Sequence, residues 1–274
     1  MEVSGCASSQ LWLTYALSDP DVPEALTLYF SMKKVFTNRK LGVFLSRKVS
    51  TSLKEALHHV FDMVFYLEDD RNTAGLSDKE FAMVSTFSLK CFEKVVFLEP
   101  TMMAIKNLDN IFNDYDEPME FVASELGQGD VSDLPIFIAR PCSHVFKDLM
   151  AALQTKNGRG VVTLLRLWAG KHAEIVSVFL DKKYSFQVSP RYDFIGCDNI
   201  VPSLANVVGI SLEPNLETFG FYAQCVLKQR KHVYNECVKP LLASLIRVRN
   251  MNLSNVLHDP RSKTIFEFDL FSNN

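Results

Sequence analysis

Lys94-Val95-Val96-Phe97-Leu98-Glu99-Pro100-Thr101-Met102-Met103, followed by Ile105-Lys106-Asn107-Leu108-Asp109-Asn110-Ile111-Phe112, is the stretch on which the reading of this chain turns. Residues 94–98 are a short apolar run and read as a buried strand. The run stops at a carboxylate, Glu99, and at Pro100, which has no backbone N–H to give a neighbour.

Working back from this strand, the chain alternates strand and helix. Leu11 to Leu17 is an apolar strand run, followed by a turn at Ser18-Asp19-Pro20-Asp21. Pro23 suits the first turn of a helix over about Val22 to Val35, whose Ala25, Leu28, Tyr29 and Met32 share one face. Leu41 to Leu45 is a second strand, Ser50 or Thr51 caps a helix to about Val60, and Met63 to Leu67 is a third strand. Ser77-Asp78-Lys79-Glu80 has capping-box spacing and opens a helix to about Cys91. Strand and helix in this order predict a mostly parallel sheet with covering helices, which places ligands beyond the carboxyl ends of the strands. The loops to watch are therefore Leu17 to Asp21 and Glu99 to Met103.

Beyond residue 112 the order is less regular. Phe121 to Ser124, Ile136 to Ala139 and Leu204 to Ile210 read as strands, and Pro141-Cys142-Ser143 opens a helix to about Thr155. Glu217 to about Arg249 is helical, broken near Pro240. Residues 1–215 are read as one α/β domain and 216–274 as a helical extension packed on it.

Bulk properties fit a globular chain. The 274 residues are 47% hydrophobic and 22% charged, with a net charge of -3, so nothing pulls the whole chain towards nucleic acid or anionic lipid. Met1-Glu2-Val3 does not open a secretion signal, and the most apolar long segment, Val161 to Leu180, is interrupted by Arg166, Lys171 and Glu174. The six cysteines form no CxxC pair and read as reduced, mostly buried thiols. The expectation is a cytoplasmic or nucleocytoplasmic protein without a membrane span.

The opening stretch resembles glycosyltransferase family eight, the glycogenin family, whose corresponding strand ends in Asp-x-Asp and is followed by an Asn-Ile-Asp-x-Leu-Phe segment. Other pieces are similar in the same order: Leu13-Thr14-Tyr15-Ala16 with Glu24 to Leu28, the run from Leu41 through Val49 to Val64, Ile136-Phe137-Ile138 with Pro141, Ala205 to Val208, and Asp259 to Thr264. The resemblance implies a nucleotide-diphospho-sugar transferase fold, Rossmann-like with a mostly parallel mixed sheet, and a helical C-terminal addition. It also implies hexosyl transfer from a UDP-sugar, assisted by manganese bound to two aspartates and a histidine.

The residues at those positions depart from that chemistry. The Asp-x-Asp position reads Glu99-Pro100-Thr101, in which Thr101 offers only a neutral hydroxyl to a hard cation. The metal-histidine position falls on Gly209. Around the nucleotide, Thr14, Leu17 and Ser18 remain as a pocket remnant. Asp21 takes the place of the aromatic that stacks on uracil, and Met83 that of a basic residue. Tyr192 falls by ungapped counting where the family glucosylates itself, and also reads as an ordinary packing residue.

Three functions follow as expectations. One is a catalytically inactive protein that acts by binding a partner. The second is an active transferase with an altered or metal-independent site, in which Arg140 or Arg159 clamps the leaving group. The third is a module for another phosphorylated or sugar ligand. No cofactor is expected under the first; manganese and a UDP-sugar belong to the second. Lys228, Arg230 and Lys231, interleaved with apolar residues, read either as a docking surface for a protein partner or as the solvated side of a packing helix. A homodimer is the other partner considered, with no nucleic acid or membrane. His58-His59 and the remaining histidines show no ligand spacing.

Overall fold

The computed structural model describes residues 10–67, 77–104, 106–115, 121–123, 136–154, 186–187, 207–209 and 230–250. Four parallel strands come first: β1 (Gln10–Ala16), β2 (Lys40–Ser46), β3 (Met63–Leu67) and β4 (Lys94–Leu98). The helices α1 (Asp21–Lys34), α2 (Thr51–Val60) and α3 (Asp78–Ser85) fall between them. Then come β5 (Met102–Ala104), the single turn α4 (Ile111–Asp114), β6 (Phe121–Ala123), β7 (Ile136–Ala139) and α5 (Ser143–Gln154). β8 (Phe186–Gln187), β9 (Val207–Gly209), a π-helical turn (Tyr234–Val238) and α6 (Lys239–Asn250) complete the described chain.

The main sheet has the order β3-β2-β1-β4-β7-β6, and β5-β9-β8 form a second, smaller sheet. β7 runs antiparallel to β4 and β6 antiparallel to β7. The parallel strands read as continuous apolar runs because both faces are covered. Trp12, Val43, Leu45, Val64 and Val96 pack in one core with Ala25 and Leu28 of α1 and Leu57 of α2. Leu11, Leu13, Phe44, Phe65 and Phe97 pack in a second core with Phe81 of α3 and Val145 and Leu149 of α5. Gly42 makes room in β2: a Cβ there would meet the Phe65 ring at 2.9 Å.

The capping box is present in full, with Ser77 accepting from the Glu80 N–H and Glu80 accepting from the Ser77 N–H. Three features differ from the sequence reading. α3 ends at Ser85 and passes into a 3-10 turn over Thr86–Ser88, short of Cys91. Met102 to Ala104 is a strand rather than open loop, because Val207–Gly209 supplies its ladder partner from a hundred residues away. The helical path over 230–250 is not cut at Pro240. The missing proline N–H falls just after the π-helical turn, a usual place for such a bulge.

The Asn107-to-Phe112 segment has a structural job here. α1 ends in a Schellman arrangement: the Phe36 N–H donates to Lys33 O at 3.1 Å and the Thr37 N–H to Met32 O at 3.3 Å. Phe36 sits at φ 60°, the conformation in which glycine is usual. A side chain there costs about 1–2 kcal/mol. Asn107 Nδ2 offsets this by donating to Val35 O and Phe36 O at 3.1 and 2.9 Å. Asp109 accepts from Trp12 Nε1 at 3.2 Å, Thr37 Oγ1 at 2.5 Å and the Asn38 N–H at 2.7 Å. Lys94, buried at the start of β4, donates to Phe112 O and Tyr115 O at the end of α4.

Asp109→Ala leaves three donors without their acceptor, one of them the indole of the fully buried Trp12. Hydrogen bonds to a charged acceptor are worth ~1.5–3 kcal/mol each, with partial replacement by water at the exposed end. The expected loss is about 3 kcal/mol by urea denaturation, and Asp109→Asn should lose less.

Candidate functional site

β1 and β4 are parallel neighbours, with Leu13 level with Phe97. The loops that follow them therefore leave the same carboxyl edge, where the strand order turns from β2 on one side of β1 to β4 on the other. The structure brings Leu17-Ser18 and Glu99-Thr101 to this edge, as the strand order predicts. β5 carries the second loop onward, and its Met102 pairs with Gly209. Glu99–Thr101 and Gly209, which the resemblance assigns to the Asp-x-Asp and metal-histidine positions, thus lie on neighbouring stretches of backbone.

The side chains at this edge bind one another. Asp21 Oδ2 accepts from the Leu17 and Ser18 N–H groups at 3.0 and 2.9 Å and from Ser18 Oγ at 2.9 Å. Asp21 thus closes its own loop. Leu17 and Met83 lie in the same apolar core as Tyr15 and Phe97, and Met83 is 1% exposed. Thr14 is also buried, and its hydroxyl has no hydrogen-bond partner among the described residues.

Glu99 is 9% exposed and forms an ion pair with Lys79. Lys79 stands in the first turn of α3, where a cation opposes the helix dipole. The Glu99 carboxylate offsets that charge. The turn from Glu99 is closed by the Met102 N–H donating to Glu99 O at 3.0 Å, with Pro100 as the second residue, a position proline favours.

Arg230 completes the edge. It is 0% exposed and pairs with Glu24 of α1 through Nη2, which also donates to Pro100 O at 3.1 Å; Nη1 donates to Met102 O at 2.8 Å. Burial lowers the guanidinium pKa, and the Glu24 carboxylate opposes that shift. This corrects the reading of Arg230 as a docking charge: it is an internal clasp, and Lys231 beside it is exposed. Val238 is buried, and Leu241 and Leu242 pack against the α1–α2 core, so this helical segment has a packing face. Lys228, Tyr192 and Arg159 lie outside the described residues.

Glu24 and Arg230 were not legible as a pair, because 206 positions separate them. The capping box placed Lys79 in the first turn of its helix, but its pairing with Glu99 was not legible either. Elsewhere, His58 Nε2 contacts Tyr66 Oη at 2.7 Å, and Cys142 Sγ contacts His144 Nδ1 at 2.8 Å, a pairing the spacing did not announce. Cys91, Cys142 and Cys237 are in no disulfide and are half-buried rather than buried. Among the described residues no three His, Cys, Asp or Glu side chains are grouped to hold a metal, and no helix is long and apolar enough to cross a membrane.

A mostly parallel sheet of this order, with β5 following β4 and paired with β9, is the nucleotide-sugar transferase fold. The bifunctional glycosyltransferase WbbM superposes with a TM-score of 0.63 at 12% identity, over 90% of this chain and 52% of that one. The glycosyltransferase GlyE of Streptococcus pneumoniae gives 0.62 at 12% identity, over 88% and 64%. The galactosyltransferase LgtC gives 0.50 at 9% identity, over 82% and 95%.

In sequence the chain is similar to glycogenins. Glycogenin-1 of Caenorhabditis elegans is 26% identical over 151 residues, 52% of this chain and 34% of that protein. Glycogenin-2 of Homo sapiens is 28% identical over 152 residues, 52% of this chain and 30% of that protein. The match thus spans about a third of the length of these relatives. No protein-family profile matches the chain.

Glu24→Gln would leave the buried Arg230 without its counter-charge. Removing one partner of a buried pair costs about 3–5 kcal/mol, and urea denaturation should show a loss of that order. Lys231→Gln, on the exposed neighbour, should change stability by less than about 0.5 kcal/mol.

Proposed function

We propose that this chain is a glycogenin-like protein that acts by binding a protein partner and does not transfer sugar with the help of a metal. The observation that carries this reading is the Lys79–Glu99 ion pair. Divalent manganese needs several anionic or nitrogen donors at fixed geometry. Of the three positions that would hold it, Glu99 is already neutralised by an ammonium, Thr101 has a hydroxyl, and Gly209 has no side chain. The donor set does not fit the ion, so no step is routed through it.

The nucleotide side supports the same reading. Asp21 spends its carboxylate on its own loop, and Met83 is packed in the core. Partner binding is carried over from the exposed basic residues of the C-terminal helices, Lys231 and Lys239 among them. Arg230 is no longer part of that set.

A second reading rests on the same lysine. Lys79 is 28% exposed in its side chain and faces the carboxyl edge, so it could supply a fixed positive charge to a leaving diphosphate without a metal. The two readings separate in one calorimetric series on the full chain. UDP-glucose should give no binding heat with or without manganese, and the combined substitution Glu99→Asp, Thr101→Asp, Gly209→His should create a manganese-dependent thermal shift. Metal-independent binding that disappears in Lys79→Met would establish the second reading instead. A manganese-dependent shift in the unaltered protein, lost in Glu99→Gln, would overturn the misfit of the metal site.

A further inference from the structure

Two outliers coincide on one residue. Phe36 is 83% exposed, the one large hydrophobic side chain so exposed among the described residues. It is also the one non-glycine residue there with positive φ. The Schellman end of α1 calls for glycine at this position, and glycine would remove both the strain and the exposed ring. Backbone strain at a surface residue, held by the Asn107 side chain, points to a use for the residue held.

The surroundings show the kind of use. α1 runs from the carboxyl edge back to the amino edge, so Phe36 projects from the side of the sheet opposite the candidate site. Lys34, exposed, and Arg39 and Lys40, half-buried, flank it in the chain, with the Arg39 guanidinium over the Phe112 ring at 5.8 Å. Asp62 is paired with Lys33 and the Leu41 N–H, and Asp109, which accepts from Trp12, Thr37 and Asn38, brings one negative charge beside the ring that the flanking cations outnumber. Glu93, before β4, lies two strands away from β2 in the sheet. Asn38 is exposed beside the ring. An aromatic anchor within a basic rim is the pattern of a protein-binding hot spot.

We propose that Phe36, with Lys34, Arg39 and Lys40, forms a docking knob for an acidic protein segment that carries an apolar pocket or side chain for the ring. A second copy docked symmetrically would bring like charges together. A single ring with three cations is a small footprint for a membrane, where stable attachment takes more buried apolar surface. The knob stands on the far edge from the sugar-transferase site, so it holds whether or not that site transfers sugar.

The test is selection of a phage-displayed random peptide library on the full chain, with Phe36→Gly as the comparison. Expected are enriched peptides rich in Asp and Glu around an aromatic or aliphatic residue. Their Kd should rise at least tenfold in Phe36→Gly and rise with added salt. The same variant should have a higher urea midpoint than the parent, which separates lost docking from lost folding. The proposal is overturned if no acidic family is enriched, if selected peptides bind Phe36→Gly equally well, or if Phe36→Gly lowers the urea midpoint. Phe36-dependent binding to phosphatidylserine vesicles in place of peptides would assign the knob to membranes and equally overturn it.

Discussion

The buried Arg230 guanidinium is the contact on which the arrangement of the carboxyl edge depends. It reaches Glu24 on α1, Pro100 in the turn after β4 and Met102 at the start of β5. A guanidinium presents five donors in a rigid fork, and such a group is tolerated in a dry interior only when a counter-charge and acceptors meet it. Here one carboxylate and two carbonyls do so. Ser31 on the same helix accepts from the Ala104 N–H at 3.0 Å, so β5 is tied to α1 at both of its ends.

The closure extends along the whole edge. Lys79 neutralises Glu99, and Asp21 binds the loop that leaves β1. Lys48 pairs with Asp78 at 2.7 Å, and Asp19 accepts from the Ser50 N–H at 2.7 Å, which links the loops after β1, β2 and β3. Most of these contacts are individually modest, since exposed or half-exposed pairs contribute about 0–1 kcal/mol. Together they commit several polar groups of this edge to internal partners.

Much of the fold was legible in the sequence for a physical reason. Strands covered on both faces need unbroken apolar runs, and 63–67, 94–98 and 136–139 were bounded correctly from that pattern alone. Ser77 and Glu80 marked their helix start because the capping box is a local contact. β5 was missed because three residues carry too little pattern and their partner strand is remote. Arg230 was misplaced for the same reason: charge spacing shows which residues are cationic, while burial is decided by a glutamate at the other end of the chain. At the candidate site, the identities of Glu99, Thr101 and Gly209 could be read from the sequence. The ion pair that neutralises Glu99 required the structure.

The central claim is that this edge is closed by its own side chains. Native-state hydrogen exchange at the amides of Leu17, Ser18, Met102 and Ala104 tests it most directly, because each is held by one of the contacts described. The account predicts slow exchange at all four, unchanged when UDP-glucose and manganese are added together. Fast exchange that becomes protected only when both are present would show an open site that closes on its donor, and would contradict it.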